Sequence, residues 1–105
     1  MDSSQASPLV IALEATVGLL RKHGDRGTAD RLDALLRRVR LDDAGAILAV
    51  ISEATGGMGS LNDRYLCVEN GDAIQAEEVE SANERLRQLV RQVEICARGA
   101  ASARR

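Results

Sequence analysis

Gly56-Gly57-Met58-Gly59-Ser60-Leu61-Asn62-Asp63 is the stretch on which the reading of this 105-residue chain turns, because it interrupts a helical periodicity that holds on both sides. Glycine loses more backbone freedom on folding than any other residue. Three glycines within Gly56–Gly59, in a chain otherwise rich in Ala, Leu and Arg, therefore imply a geometric requirement. Thr55-Gly56 reads as the end of a helix with Gly56 as its left-handed C-cap, which leaves Gly57 and Gly59 to shape the loop. Ser60 and Asp63 have the spacing of a capping box, so one or two helical turns are expected from Ser60 to about Leu66. Leu61, Tyr65, Leu66 and Val68 are expected to turn inward and close the bottom of the core, and Asn70-Gly71 reads as a turn.

Toward the N-terminus the pattern is helical throughout. Ser7-Pro8 is an N-cap followed by proline at the first helical position, and Leu9, Val10, Leu13, Val17 and Leu20 form one apolar face. Arg21, Lys22 and His23 occupy the last turn, where positive charge suits the helix dipole, and Gly24 ends the helix. His23 reads as a surface residue at that helix end. A tight link then leads to a second helix with Ala29, Leu32, Leu35, Leu36 and Val39 on one side. Arg26 with Asp30, and Asp33 with Arg37, stand at i,i+4. Asp42 or Asp43 caps a third helix, whose apolar set is Ala44, Ile47, Leu48, Ile51 and Ala54.

Beyond the loop, Val79, Ala82, Leu86, Leu89, Val93 and Cys96 follow a heptad-like stripe on a helix from Ile74 or Glu77 to about Arg98. The expected fold is all-α: a small four-helix bundle in one domain, residues 1–105, with a long Gly-rich connection between helices three and four. Residues 1–6 and 99–105 are expected to be frayed tails.

Composition bounds the function. A formal net charge of -2 and a pI near 5.4 give no support for nucleic-acid binding. The apolar run from Leu9 to Leu20 contains Glu14 and is too short to span a membrane, and no signal peptide is visible, so a cytoplasmic protein with no membrane association is expected. Cys67 and Cys96 then read as free thiols in small buried positions. Aromatic content is 1%, with Tyr65 alone, so the core must be aliphatic. Folding is expected without a cofactor.

The chemistry-bearing patterns are weak. The glycines follow a helix and lack the lysine of a phosphate loop, which argues against nucleotide binding. His23 has neither CxxC nor HxxxH company, so no metal site is expected. A relay of Ser60, His23 and Asp63 or Asp25 has no supporting context, and no catalytic residue is assigned. Two features remain. Ser60, Asn62, Asp63 and Arg64 place polar groups beside the loop, and Glu69, Asp72, Glu77, Glu78, Glu80 and Glu84 run without a compensating base until Arg85.

The eight-residue motif resembles the signature of a family of small, uncharacterised bacterial helical proteins, in which GGMGS is followed by Phe or Leu and then Asn-Asp. The likeness extends to the Leu-rich second helix and to the last helix entered near Asn83, while Leu61 stands where Phe is commoner. That resemblance implies a helical fold and a bacterial cytosolic setting and supplies no catalytic residues.

The expected function is a non-enzymatic protein-interaction module, of immunity type, which meets an unidentified protein partner through Ser60, Asn62, Asp63, Arg64, Glu77, Glu78 and Glu80. Gly56, Gly57, Gly59 and Tyr65 are expected to be structural. The alternatives are a homodimeric helical module and a small-ligand or hydrolytic site at Ser60, Asn62, Asp63 and Tyr65.

Overall fold

The computed structural model describes residues 7–103. Those residues form four α-helices and three single-turn 3-10 helices, and no strand occurs among them. The expected tail at residues 1–6 lies outside the described residues, as do residues 104–105.

Helix α1 spans Pro8–Lys22, and the Ser7 side chain accepts the Val10 N–H at 3.1 Å, so the cap inferred from Ser7-Pro8 is present. Helix α2 spans Arg26–Arg40, with the Asp25 carboxylate accepting the Thr28 N–H at 3.0 Å. Helix α3 spans Ala44–Thr55 and is capped by Asp43, which accepts the N–H groups of Gly45 and Ala46. Helix α4 runs Val79–Ala103, past the expected end at Arg98, so residues 99–103 continue the helix instead of fraying. Its 25 residues give a length near 37 Å at about 1.5 Å per residue.

Short links fold α1, α2 and α3 into successive antiparallel neighbours, and α4 packs back between α3 and α1. Each helix thus has two neighbours around a shared core. Leu13, Leu20, Leu32, Val50, Leu61, Leu66, Leu86 and Val93 are each buried to 1% exposure or less, so the core is aliphatic as the composition required.

Two faces are rotated from the sequence reading. In α3 the buried set is Ala46, Ile47, Val50 and Ala54, while Leu48 is 60% exposed and Ala44 is exposed. An apolar helix has no polar stripe to fix its orientation, and packing against the neighbouring helices decides it. In α4, Asn83, Val90 and Ala97 join the buried stripe, and Val79 and Cys96 are only half-buried. Cys67 is also half-buried, and both thiols are free. At the surface Asp33 pairs with Arg37 at 2.9 Å, whereas Asp30 pairs with Arg21 and not with Arg26.

Candidate functional site

Residues 56–78 cross from the end of α3 to the start of α4, and side chains tie that crossing to the helices and their caps at several points. Gly56 has φ -76 and ψ 178, which is extended backbone and not the left-handed cap expected of it. Its need for glycine is spatial: a Cβ there would stand 2.6 Å from the Ser52 carbonyl oxygen. Gly59 does require glycine by conformation, at φ +87, whereas Gly57 has no positive φ and open space around it.

Within the loop, Ser60 Oγ donates to the Gly57 carbonyl at 2.7 Å, and Asn62 Nδ2 donates to the Gly56 carbonyl at 3.2 Å. Asp63 accepts the Gly59 N–H at 3.1 Å. The reciprocal Ser60–Asp63 capping box is therefore not formed, because the glycine turn puts the Gly59 N–H within reach of Asp63 instead. Leu61 and Asp63 bound a single 3-10 turn, shorter than the helical turns expected to Leu66. Outside the loop, Glu53 of α3 accepts Arg31 of α2 at 2.7 and 3.1 Å and also the Leu61 N–H at 2.9 Å. Arg31 reaches on to the Gly59 carbonyl at 3.1 Å.

Arg64 is the second tie. Its guanidinium donates Nε to Asp25 and Nη2 to Asp72, both at 2.5 Å, and Nη1 to the Tyr65 carbonyl at 3.0 Å. Asp72 also accepts the Cys67 N–H at 3.0 Å. The three charged side chains are 19%, 11% and 3% exposed for Arg64, Asp25 and Asp72, so Arg64 holds the fold together and does not present its charge to solvent. Burial pushes the Asp25 carboxyl upward, and hydrogen bonds from Arg64 and Thr28 outweigh it, leaving that group below its ordinary value. Burial also lowers the Arg64 guanidinium, and Asp25 with Asp72 more than restores it, so its net direction is upward.

A third tie comes from α4. Asn83, 3% exposed, accepts the Leu66 N–H at 2.7 Å and donates to the Leu66 carbonyl at 2.8 Å, as an adjacent strand would. His23, expected at the surface, is 3% exposed. Its Nδ1 lies 3.1 Å from the Ala73 carbonyl, which only accepts, so Nδ1 carries the proton. The Ala73 N–H returns a bond to the His23 carbonyl at 2.7 Å. These partners lie far from the loop in sequence, and no local pattern announces them. Asn83 had a signal, a polar residue three positions before Leu86 and seven before Val90 in an apolar stripe.

What the ties leave exposed is apolar and acidic. Met58 is 97% exposed, Val68 65% and Tyr65 48%, so Tyr65 and Val68 face outward and not inward as expected, while Leu61 and Leu66 are buried. The Asn70-Gly71 turn is formed, with Gly71 at φ 88. Glu69, Glu77, Glu80 and Glu84 are exposed and make no ion pair among the described residues, whereas Glu78 is half-buried and accepts the Gln75 N–H at 3.1 Å.

Two depressions bear on binding. One of about 250 Å³ lies between the loop and α4, lined by Leu61 and Asn62 on one side and by Arg87, Val90 and Arg91 on the other. Ser60, Asp63 and Tyr65 do not line it, so the residues of the hydrolytic alternative are not gathered around that cleft. The other, about 1010 Å³, lies at the opposite end of the bundle against Leu9, Val10, Val39 and Ile47, and its lining is mostly apolar. No three His, Cys, Asp or Glu residues come together to hold a metal among the described residues, and no helix there is long and apolar enough to cross a membrane.

A model of a domain of unknown function, DUF6966, matches residues 21–75. The chain belongs to the DUF6966 family. No curated protein and no solved structure matches it. The DUF6966 segment holds the loop, Arg64, Asp25 and Asp72, while Asn83, Arg87 and Arg91 lie on α4 beyond it.

Proposed function

We propose that this DUF6966 protein is a non-enzymatic interaction module that presents the connection between α3 and α4, with its glycine-bearing loop, to a basic protein partner. The observation that carries the reading is Met58, 97% exposed on a loop whose neighbouring side chains Ser60, Asn62 and Asp63 are all bonded to the loop backbone. A large apolar side chain held out by a braced turn is suited to insertion into a partner's pocket, and methionine adapts to irregular ones. Tyr65 and Val68 add apolar area on the same connection. Glu69, Glu77, Glu80 and Glu84 supply an unpaired acidic rim that would steer a basic partner and set specificity more than affinity.

Immunity-type pairing is the form of partnership that this surface suits, in the bacterial cytoplasmic setting suggested by the motif. Ser60, Asn62 and Asp63 shape the loop in this reading, and Arg64 fixes the segment behind it. Affinity capture from the source cells tests the proposal, comparing the natural chain with Met58→Ser and with charge reversal at Glu77, Glu78 and Glu80. A partner held by the natural chain and lost from both variants supports the reading. Capture unchanged in both contradicts it.

A homodimeric module is the second reading, favoured by exposed Leu48 at 60% and Ile95 at 63%. Light scattering separates the two: a dimer that Leu48→Glu disrupts supports the second, and a monomer at all concentrations excludes it.

A further inference from the structure

Most arginines of this chain are spent on its own carboxylates. Arg21, Arg31, Arg37, Arg38, Arg40 and Arg98 make ion pairs at the surface, and Arg64 makes two inside. Arg87 and Arg91 make none with the described residues, although both line the cleft between the 56–63 loop and α4. They stand four residues apart on one helix, so their side chains lie on the same face one turn from each other.

The remaining lining is chemically divided, and the third arginine in it, Arg64, is already bonded to Asp25 and Asp72. Ala54, Leu61, Leu86 and Val90 give an aliphatic wall. Asn62 gives an acceptor: its Nδ2 donates to the Gly56 carbonyl, so its Oδ1 is left to receive a proton donor. Glu94 also lines the cleft, held by Arg98 at 3.0 Å, and its negative charge repels a dianion such as phosphate more than a singly charged carboxylate. The volume of about 250 Å³ falls below the roughly 300–1,000 Å³ of sites for drug-sized ligands, so it admits a group the size of one residue and excludes a nucleotide.

We propose that this cleft binds the carboxylate end of a peptide chain that finishes in an aliphatic residue. Arg87 and Arg91 hold the terminal carboxylate, for which the planar guanidinium fork is matched. Ala54, Leu61, Leu86 and Val90 receive the last side chain, and Asn62 Oδ1 accepts its amide N–H. The motif thereby acquires a role beyond its own fold, since the braced loop sets Leu61 and Asn62 opposite the two arginines. The site does not depend on a partner for the acidic rim, and it is tested separately.

The test is titration of the full 15N-labelled chain, followed by amide and arginine Nε resonances. The probes are N-acetyl-leucine, N-acetyl-leucinamide, N-acetyl-glycine, N-acetyl-Gly-Gly-Leu and inorganic phosphate. Saturable shifts are expected at Leu61, Asn62, Arg87 and Arg91 with N-acetyl-leucine, and the tripeptide is expected to bind at least as tightly. The neutral amide, the glycine analogue and phosphate are each expected to bind at least about tenfold more weakly. Arg87→Gln and Arg91→Gln, exposed positions that leave the core intact, should each weaken binding about tenfold, whereas Arg85→Gln should not change it. No saturation with N-acetyl-leucine, equal binding of the amide or of phosphate, or variants at Arg87 and Arg91 that titrate like the natural chain would overturn the site. Equal binding of N-acetyl-glycine would overturn the aliphatic subsite, and rejection of the tripeptide would overturn the peptide-end assignment.

Discussion

Replacing Arg64 by leucine removes the cation that stands between Asp25 and Asp72 and leaves both carboxylates facing a side chain that offers no hydrogen bond. Asp72 is 3% exposed and Asp25 11%, so water reaches neither carboxylate freely. Breaking a buried ion pair by deleting one partner costs about 3–5 kcal/mol, and the partial exposure of Arg64 places this case near the lower end. A loss of about 3 kcal/mol is a large share of the ~5–15 kcal/mol typical of a domain. At about 4–8 °C per kcal/mol for a chain of this size, the melting temperature should fall by roughly 12–24 °C. The assay is thermal and urea unfolding at pH 7, followed by circular dichroism. Adding Asp72→Asn to Arg64→Leu removes one of the stranded charges and should recover at least about 1 kcal/mol, a coupling that a purely steric defect would not show. An Arg64→Leu protein melting within about 4 °C of the natural chain would refute the reasoning.

Other expectations follow from the same ties. Asn83→Ala strands the N–H and carbonyl of fully buried Leu66, and at about 1–3 kcal/mol for each unpaired group it should cost about 2–6 kcal/mol in urea unfolding. Gly59→Val, at φ +87, should destabilise by more than about 1 kcal/mol, while Gly57→Ala should stay within about 0.5 kcal/mol, a contrast readable in paired melts. Asp25 is more acidic folded than unfolded, so the unfolded chain takes up that proton first as pH falls. Its contribution is complete above its ordinary value of about 3.9 and is lost as pH drops through the lower folded value, so urea midpoints should decline in acid and Asp25→Asn should flatten that decline.

The helices were legible because their signals are local. Ser7-Pro8, the Asp42-Asp43 pair and the spacing of Leu9, Leu13, Leu20, Leu32 and Leu36 act within one or two turns of themselves. The orientation of α3 was not legible, since Ala44–Ile51 is apolar on more than one face and only tertiary packing selects Val50 over Leu48. The loop was legible as an anomaly and not as a geometry. Gly56 is needed because Ser52 is close, a contact within α3's own last turns, while the bonds that fix the crossing, Glu53 to Leu61, Asn83 to Leu66, Arg31 to Gly59 and Arg64 to Asp25, span 8 to 39 residues along the chain. The acidic run was likewise mixed: Asp72 belongs to the Arg64 network, and Glu69, Glu77, Glu80 and Glu84 form the exposed remainder. Composition does not distinguish a carboxylate that closes a fold from one that awaits a partner.

Amide hydrogen exchange at Leu66 measures most directly whether the long crossing between the third and fourth helices is a fixed part of the domain. Its N–H is fully buried and bonded to Asn83 at 2.7 Å, so its protection should approach that of the core amides of α1 and α4. Exchange at Leu66 near the rate of an open chain, with the helices still protected, would contradict the account.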